Sequence, residues 1–154
     1  MIKIILPPKI QSKLASALKE AGKREIGGVL MGEHIAENTF RVFDLSIQTQ
    51  KGSAFYFLRR LPSAIKSLKA FFAHTDHNYK KYNYLGEWHS HPDFPVAPSK
   101  TDVSTMVDII DDKTIGANFV VLIIVKLSNC SDLIASATVF FRGEVVPGDI
   151  VLEN

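Results

Sequence analysis

The sequence has a single cysteine, Cys130, so no disulfide can form within the chain and a reducing compartment suits it. With no second thiol to pair with, Cys130 is expected to be a small buried filler. Long apolar runs are also missing. The longest, Phe119–Val125, is far short of the roughly 20 residues a membrane helix needs. The Ile2–Leu6 run is too short for the apolar part of a secretion signal and lacks its cleavage site. Charge of one sign is scarce too: 18 Lys and Arg stand against 16 Asp and Glu. That balance gives no electrostatic footprint for nucleic acid or for a membrane surface, and the pairs Arg59-Arg60 and Lys80-Lys81 are too small to supply one. There is no internal repeat, charge block or low-complexity tract. These absences predict a cytoplasmic protein with neither nucleic acid nor membrane as partner. Its 154 residues fit one domain, 1–154, and 46% hydrophobic content is enough for an ordinary core.

Hydrophobic spacing predicts alternating strands and helices. Ile2–Leu6 reads as a strand stopped by Pro7-Pro8, and Ile10, Leu14, Ala17, Leu18 and Ala21 fall at helical spacing before a Gly22 cap. Glu25–Met31, Phe40–Ile47 and Ala54–Leu58 read as strands, and Pro62 opens a second helix with Ile65, Leu68 and Phe72 on one stripe. Tyr84–His91 is a further strand. A loop stiffened by Pro92, Pro95 and Pro98 leads to a third helix over Ser99–Asp112. Phe119–Leu127 is apolar throughout, as a strand covered on both faces must be. Leu133–Arg142 and Val145–Leu152 complete the set. Strands and helices interleave without strict βαβ regularity. The expected class is therefore α/β of the α+β kind, a mixed, curved β-sheet flanked by helices.

The chemistry concentrates in Glu87-Trp88-His89-Ser90-His91-Pro92 and Pro98-Ser99-Lys100-Thr101-Asp102. Residues two apart on a strand share a face, so His89 and His91 present two imidazoles side by side, while Trp88 turns the other way into the core. Ser90, on the Trp88 face, is placed to tie down backbone or a neighbour of the site. Two imidazoles are good zinc ligands, and a catalytic zinc site needs one more protein ligand plus an open position. Asp102 is the natural third, returned to the strand end by the proline loop. Ser99 and Asp102 also stand at capping-box spacing, so the same two residues can start a helix. Glu87 is a rival ligand on the histidine face. However, same-face residues along one strand are about 6.6–6.8 Å apart, which spreads three in line too far for a tetrahedron. His74 and His77, with Asp76 between them, read as a solvated helix end, and Asp108, Asp111 and Asp112 as water-facing.

His89-x-His91, seven residues, Ser99, two residues, Asp102 resembles the signature of the JAB/MPN metallopeptidases, the JAMM-motif family. Glu25-Ile26-Gly27-Gly28-Val29-Leu30-Met31-Gly32 is similar to that family's glutamate and glycine-rich early strand. The resemblance implies the JAB/MPN fold with its cytidine-deaminase-like layers, and Zn2+ held by His89, His91 and Asp102. It makes Glu25 the general acid/base and gives Ser99 a hydrogen bond to the water or the developing oxyanion. Read on its own, Glu25 would be a solvated residue after the helix cap. Gly27 and Gly28 would either bring backbone close to substrate or relieve packing. The compact length resembles stand-alone prokaryotic members, some of which sit in antiphage operons. The implied function is a zinc isopeptidase or peptidase acting at the C-terminus of a ubiquitin or ubiquitin-like protein. A non-catalytic MPN-like scaffold and a hydrolase of sulfur-carrier adducts are the alternatives.

Overall fold

Proline and glycine punctuate the chain where its direction changes. The computed structural model describes residues 1–49 and 62–154, so the strand expected over Ala54–Leu58 lies outside the described residues. Strand β1 (Lys3–Leu6) ends at Pro7, and α1 (Pro8–Ala21) starts with Pro8, where a missing N–H leaves no helical bond unmade. Ile10, Leu14, Leu18 and Ala21 form the buried stripe of α1. Gly22 ends the helix at φ +61°, its N–H donating to Leu18 O at 3.0 Å. The hairpin β2 (Gly27–Ala36) and β3 (Thr39–Leu45) follows, then α2 (Pro62–His74) and β4 (Tyr82–Ser90). Helix α3 (Lys100–Asp111) precedes β5 (Val120–Leu127), β6 (Leu133–Phe141), β7 (Glu144–Pro147) and β8 (Asp149–Leu152).

These strands form one sheet in the order β7-β6-β5-β4-β2-β3-β1-β8. It is mixed, as expected: β4/β5, β1/β3 and β1/β8 run parallel and the other neighbours antiparallel. Val145–Leu152 is not the single strand its apolar pattern suggests. Gly148 divides it, sending β7 to β6 and β8 to β1, at opposite ends of the order. The physical reason is contact with β6. Gly148 N–H donates to Ala137 O at 2.9 Å, and a Cβ at 148 would come within 3.2 Å of Ala137 Cβ and 3.1 Å of Val139 Cγ2. The two edges are therefore joined by one residue, and the sheet curls until it is nearly closed. The two edge strands, β7 and β8, have only four residues each, which limits pairing with another chain.

Strand β5 alternates between two cores. Val121, Ile123 and Val125 pack with α1 and Trp88, while Val120, Leu122 and Ile124 pack under Met106, Ile109 and Ile110 of α3. Leu68 and Phe71 of α2 cover Val29 and Met31 on β2. Within β4 the pairing register slips: Leu30 opposes Gly86 and Met31 opposes Tyr84, leaving Leu85 without an opposite. This bulge lets Leu85 and Trp88, three apart, enter the same core and turns the intervening Glu87 to the other face, which it shares with His89. Gly86 carries the distortion at φ +147° and lies so close to β5 that a Cβ there would be 1.9 Å from Val121 O.

The expectation for Cys130 is overturned. It is exposed, at the turn between β5 and β6, which is closed by Ser128 N–H to Asp132 O and by Ser131 at φ +62°. A tight turn at the end of a sheet projects beyond the packed layers, so a side chain there has no core to fill.

Candidate metal centre

The site is built where the ends of β2 and β4 are clamped together. Ser90 N–H donates to Ile26 O at 2.8 Å, and Ile26 N–H donates to Ser90 Oγ at 3.0 Å, so Ser90 ties down backbone. Trp88 points into the core, fully buried, its indole N–H donating to Ser46 O at 2.8 Å. On the opposite face His89 and His91 meet, with Nε2 atoms 3.0 Å apart. Asp102 arrives from the first turn of α3, its Oδ2 3.4 Å from His89 Nε2 and 3.6 Å from His91 Nε2. All three side chains are buried.

These separations test whether the group suits a metal. Four ligands at about 2.0–2.1 Å around tetrahedral zinc stand about 3.3 Å from one another. The three observed distances bracket that value, and they join two imidazole nitrogens and a carboxylate oxygen, a donor set proper to zinc. Tautomerism supports the fit at His91. Its Nδ1 lies 2.9 Å from Pro95 O, a carbonyl that can only accept, so Nδ1 bears the hydrogen and Nε2 offers its lone pair. Among the described residues this is the one cluster of three or more His, Cys, Asp or Glu side chains able to hold a metal ion. Glu87 is buried in mid-strand and is not part of it, nor are His74 and His77, both exposed at the end of α2.

Asp102 is held from two sides. Ser99 N–H donates to its Oδ2 at 2.7 Å while Asp102 N–H donates to Ser99 Oγ at 3.1 Å, a complete capping box. One carboxylate is thus both helix cap and candidate ligand. Burial pushes its carboxyl up, but the hydrogen bond and charge of His89 and the donors of Ser99 outweigh that and hold it at about 2. Replacing Ser99 by alanine is expected to cost about 0.5–2 kcal/mol through the lost cap, seen as a fall of a few degrees in Tm. A melt identical to wild type would mean that Ser99 does not anchor the helix.

The intervening loop is also pinned. Ser136 Oγ on β6 donates to Val96 O, and Phe94 N–H reaches His91 O at 3.4 Å. Ser136 was not foreseeable from spacing because it acts on a backbone atom 40 residues away, and the Pro95 carbonyl was not because a backbone acceptor leaves no mark in residue type. Phe94 itself is 58% exposed, its ring edge-on to His91.

The model for prokaryotic homologs of the JAB domain matches residues 7–139, a span that holds every element of the site. The chain belongs to this family. This JAB domain is similar in fold to a protein from Desulfitobacterium hafniense solved in solution, at 19% identity over 98% of this chain and 93% of the other, with a TM-score of 0.60. A solution structure from Salinibacter ruber is similar at 22% identity over 97% and 91%, with a TM-score of 0.55. No curated protein matches this chain significantly.

Glu25 is not on β2, as expected, but just before it. The strand starts only at Gly27, which stands opposite His89 on β4 and on its other side exchanges both backbone hydrogen bonds with Gln48. Glu25 is exposed, two residues before the Gly27 that pairs with His89. Gly28 serves close packing: a Cβ there would be 2.0 Å from Ser46 O.

Proposed function

We propose that this JAB domain is a zinc-dependent isopeptidase or peptidase that cuts the amide bond at the C-terminus of a ubiquitin-like modifier, releasing it from a conjugate or from a precursor. The observation that carries this reading is the buried His89–His91–Asp102 group, whose spacing fits one tetrahedral ion, with the exposed carboxylate of Glu25 two residues before the Gly27 that pairs with His89. His89, His91 and Asp102 would hold the ion. When bound, zinc polarises a carbonyl and lowers the pKa of water to about 7. Glu25 takes the proton from the attacking water and delivers it to the departing amine, the work of a general base turned acid. Ser99 Oγ already accepts from Asp102 N–H, and its own hydroxyl proton remains available to donate to the developing oxyanion. No cysteine nucleophile is needed, and Cys130, exposed in the turn after β5, is not part of the cluster.

The test is Glu25→Gln, which keeps the metal ligands and removes the proton shuttle. Loss of a general base is expected to slow turnover by about 100- to 10,000-fold while the zinc content stays at the wild-type level. Expressed in the native host, the variant should accumulate lysine-linked modifier remnants, detected by mass spectrometry, that wild type does not. If no conjugate differs between the two and neither form cuts a modifier precursor, the domain is a scaffold rather than an enzyme.

A further inference from the structure

A cavity of about 570 Å3 opens at the start of β4, the end away from the histidines. Tyr84, which lines it, is five residues before His89, roughly 16 Å along a strand, so an occupant would not touch the metal centre. The volume lies within the roughly 300–1,000 Å3 of small-molecule sites. Its walls are aromatic on two sides. On one, His34 stacks on Phe40 with ring centroids 4.8 Å apart, and Phe40 meets Phe119 edge-on at 5.0 Å. On the other, Phe72 meets Tyr79 edge-on at 5.0 Å.

The polar lining has one sign. Lys80 and Lys81 border the cavity with the amides of Asn83 and Asn118, and among the described residues no carboxylate lines it. Lys81 is engaged by Glu33, 3.7 Å away, whereas Lys80 has no ion-pair partner among the described residues. Aromatic walls favour a flat ring, the Asn118 side-chain amide suits ring-edge donors and acceptors while that of Asn83 is held by Tyr79 O and Tyr84 N–H, and an ammonium with no ion-pair partner favours an anionic group. We propose that this cavity binds a mononucleotide, its base between the aromatic walls and its phosphate at Lys80. A bare phosphate would leave the aromatic walls unused, and an uncharged nucleoside would leave Lys80 unpaired.

Titration calorimetry of the full chain with AMP, GMP, CMP and UMP, and with adenosine, inorganic phosphate and indole-3-acetate, tests this. At least one mononucleotide should bind saturably at one per chain, and its nucleoside about ten-fold more weakly, with no heat from phosphate. Lys80→Ala should weaken the nucleotide about ten-fold and leave the nucleoside unchanged, and Tyr79→Ala should weaken both. Both positions are exposed, so neither change threatens the fold. The Asp102→Asn variant should bind the nucleotide as wild type does, which separates this site from the metal centre. No saturable binding, indifference to Lys80→Ala, loss of binding in Asp102→Asn, or preference for indole-3-acetate would each overturn the proposal.

Discussion

Asp102→Asn is expected to lose zinc while keeping the helix that carries residue 102. The asparagine carbonyl can still accept from Ser99 N–H, and the backbone N–H of residue 102 still donates to Ser99 Oγ, so the capping box survives in shape. What disappears is the negative charge facing His89 and His91 at 3.4 and 3.6 Å. Removing partners outside the ligand shell of a zinc site already costs about 10- to 100-fold in affinity, so loss of a ligand should exceed the upper figure. Asp102→Ala should lose the metal equally and also melt earlier, because it removes the cap. Zinc per chain after equilibrium dialysis, read beside thermal melts, separates the two roles. Wild-type zinc affinity in Asp102→Asn would remove the carboxylate from the ligand set.

Gly86→Ala should be the most damaging single methyl group that can be added to the strand bearing the histidines. The new Cβ would lie 1.9 Å from Val121 O and 2.6 Å from Val121 N, both backbone atoms of a strand buried on its two faces. Residue 86 also sits at φ +147°, where an L side chain is strained whatever the space. Together the two effects should exceed about 4 kcal/mol, a large share of the 5–15 kcal/mol that holds a domain together. The expected result is insoluble protein or loss of the cooperative melt. Gly143→Ala is the matched control: φ is +78° but nothing lies within 4 Å, so it should cost only about 1 kcal/mol. Equal effects at 86 and 143 would show that backbone conformation, not contact with β5, sets the penalty.

How much of this was legible from the residues depended on the range of the forces involved. The histidine pair follows from the two-residue period of a strand, and Ser99 and Asp102 follow from capping spacing, both local rules. The double coverage of β5 showed in its unbroken apolar run. The slip at Leu85 did not, because it is imposed by the pairing of β4 with β2 and by the approach of Gly86 to β5. The split of Val145–Leu152 was equally hidden: its alternation suits a continuous strand, and only contact between Gly148 and β6 divides it. The position of Glu25 ahead of β2 is set by the bridge from Gly27 to Gln48. Cys130 was misjudged for another reason. Ser128, Asn129, Ser131 and Asp132 surround it, and turn chemistry outweighs one apolar side chain.

The pairing of Lys3 with Asp149 and of Leu6 with Leu152 has a consequence for the order of events on the ribosome. Contacts so remote in sequence carry a large loop-closure cost and form slowly. Strands β2, β4 and β5, Glu25, both histidines and Asp102 all leave the exit tunnel before β8 does. The residues of the candidate centre can therefore be clear of the tunnel while the seam between β1 and β8 is still unformed.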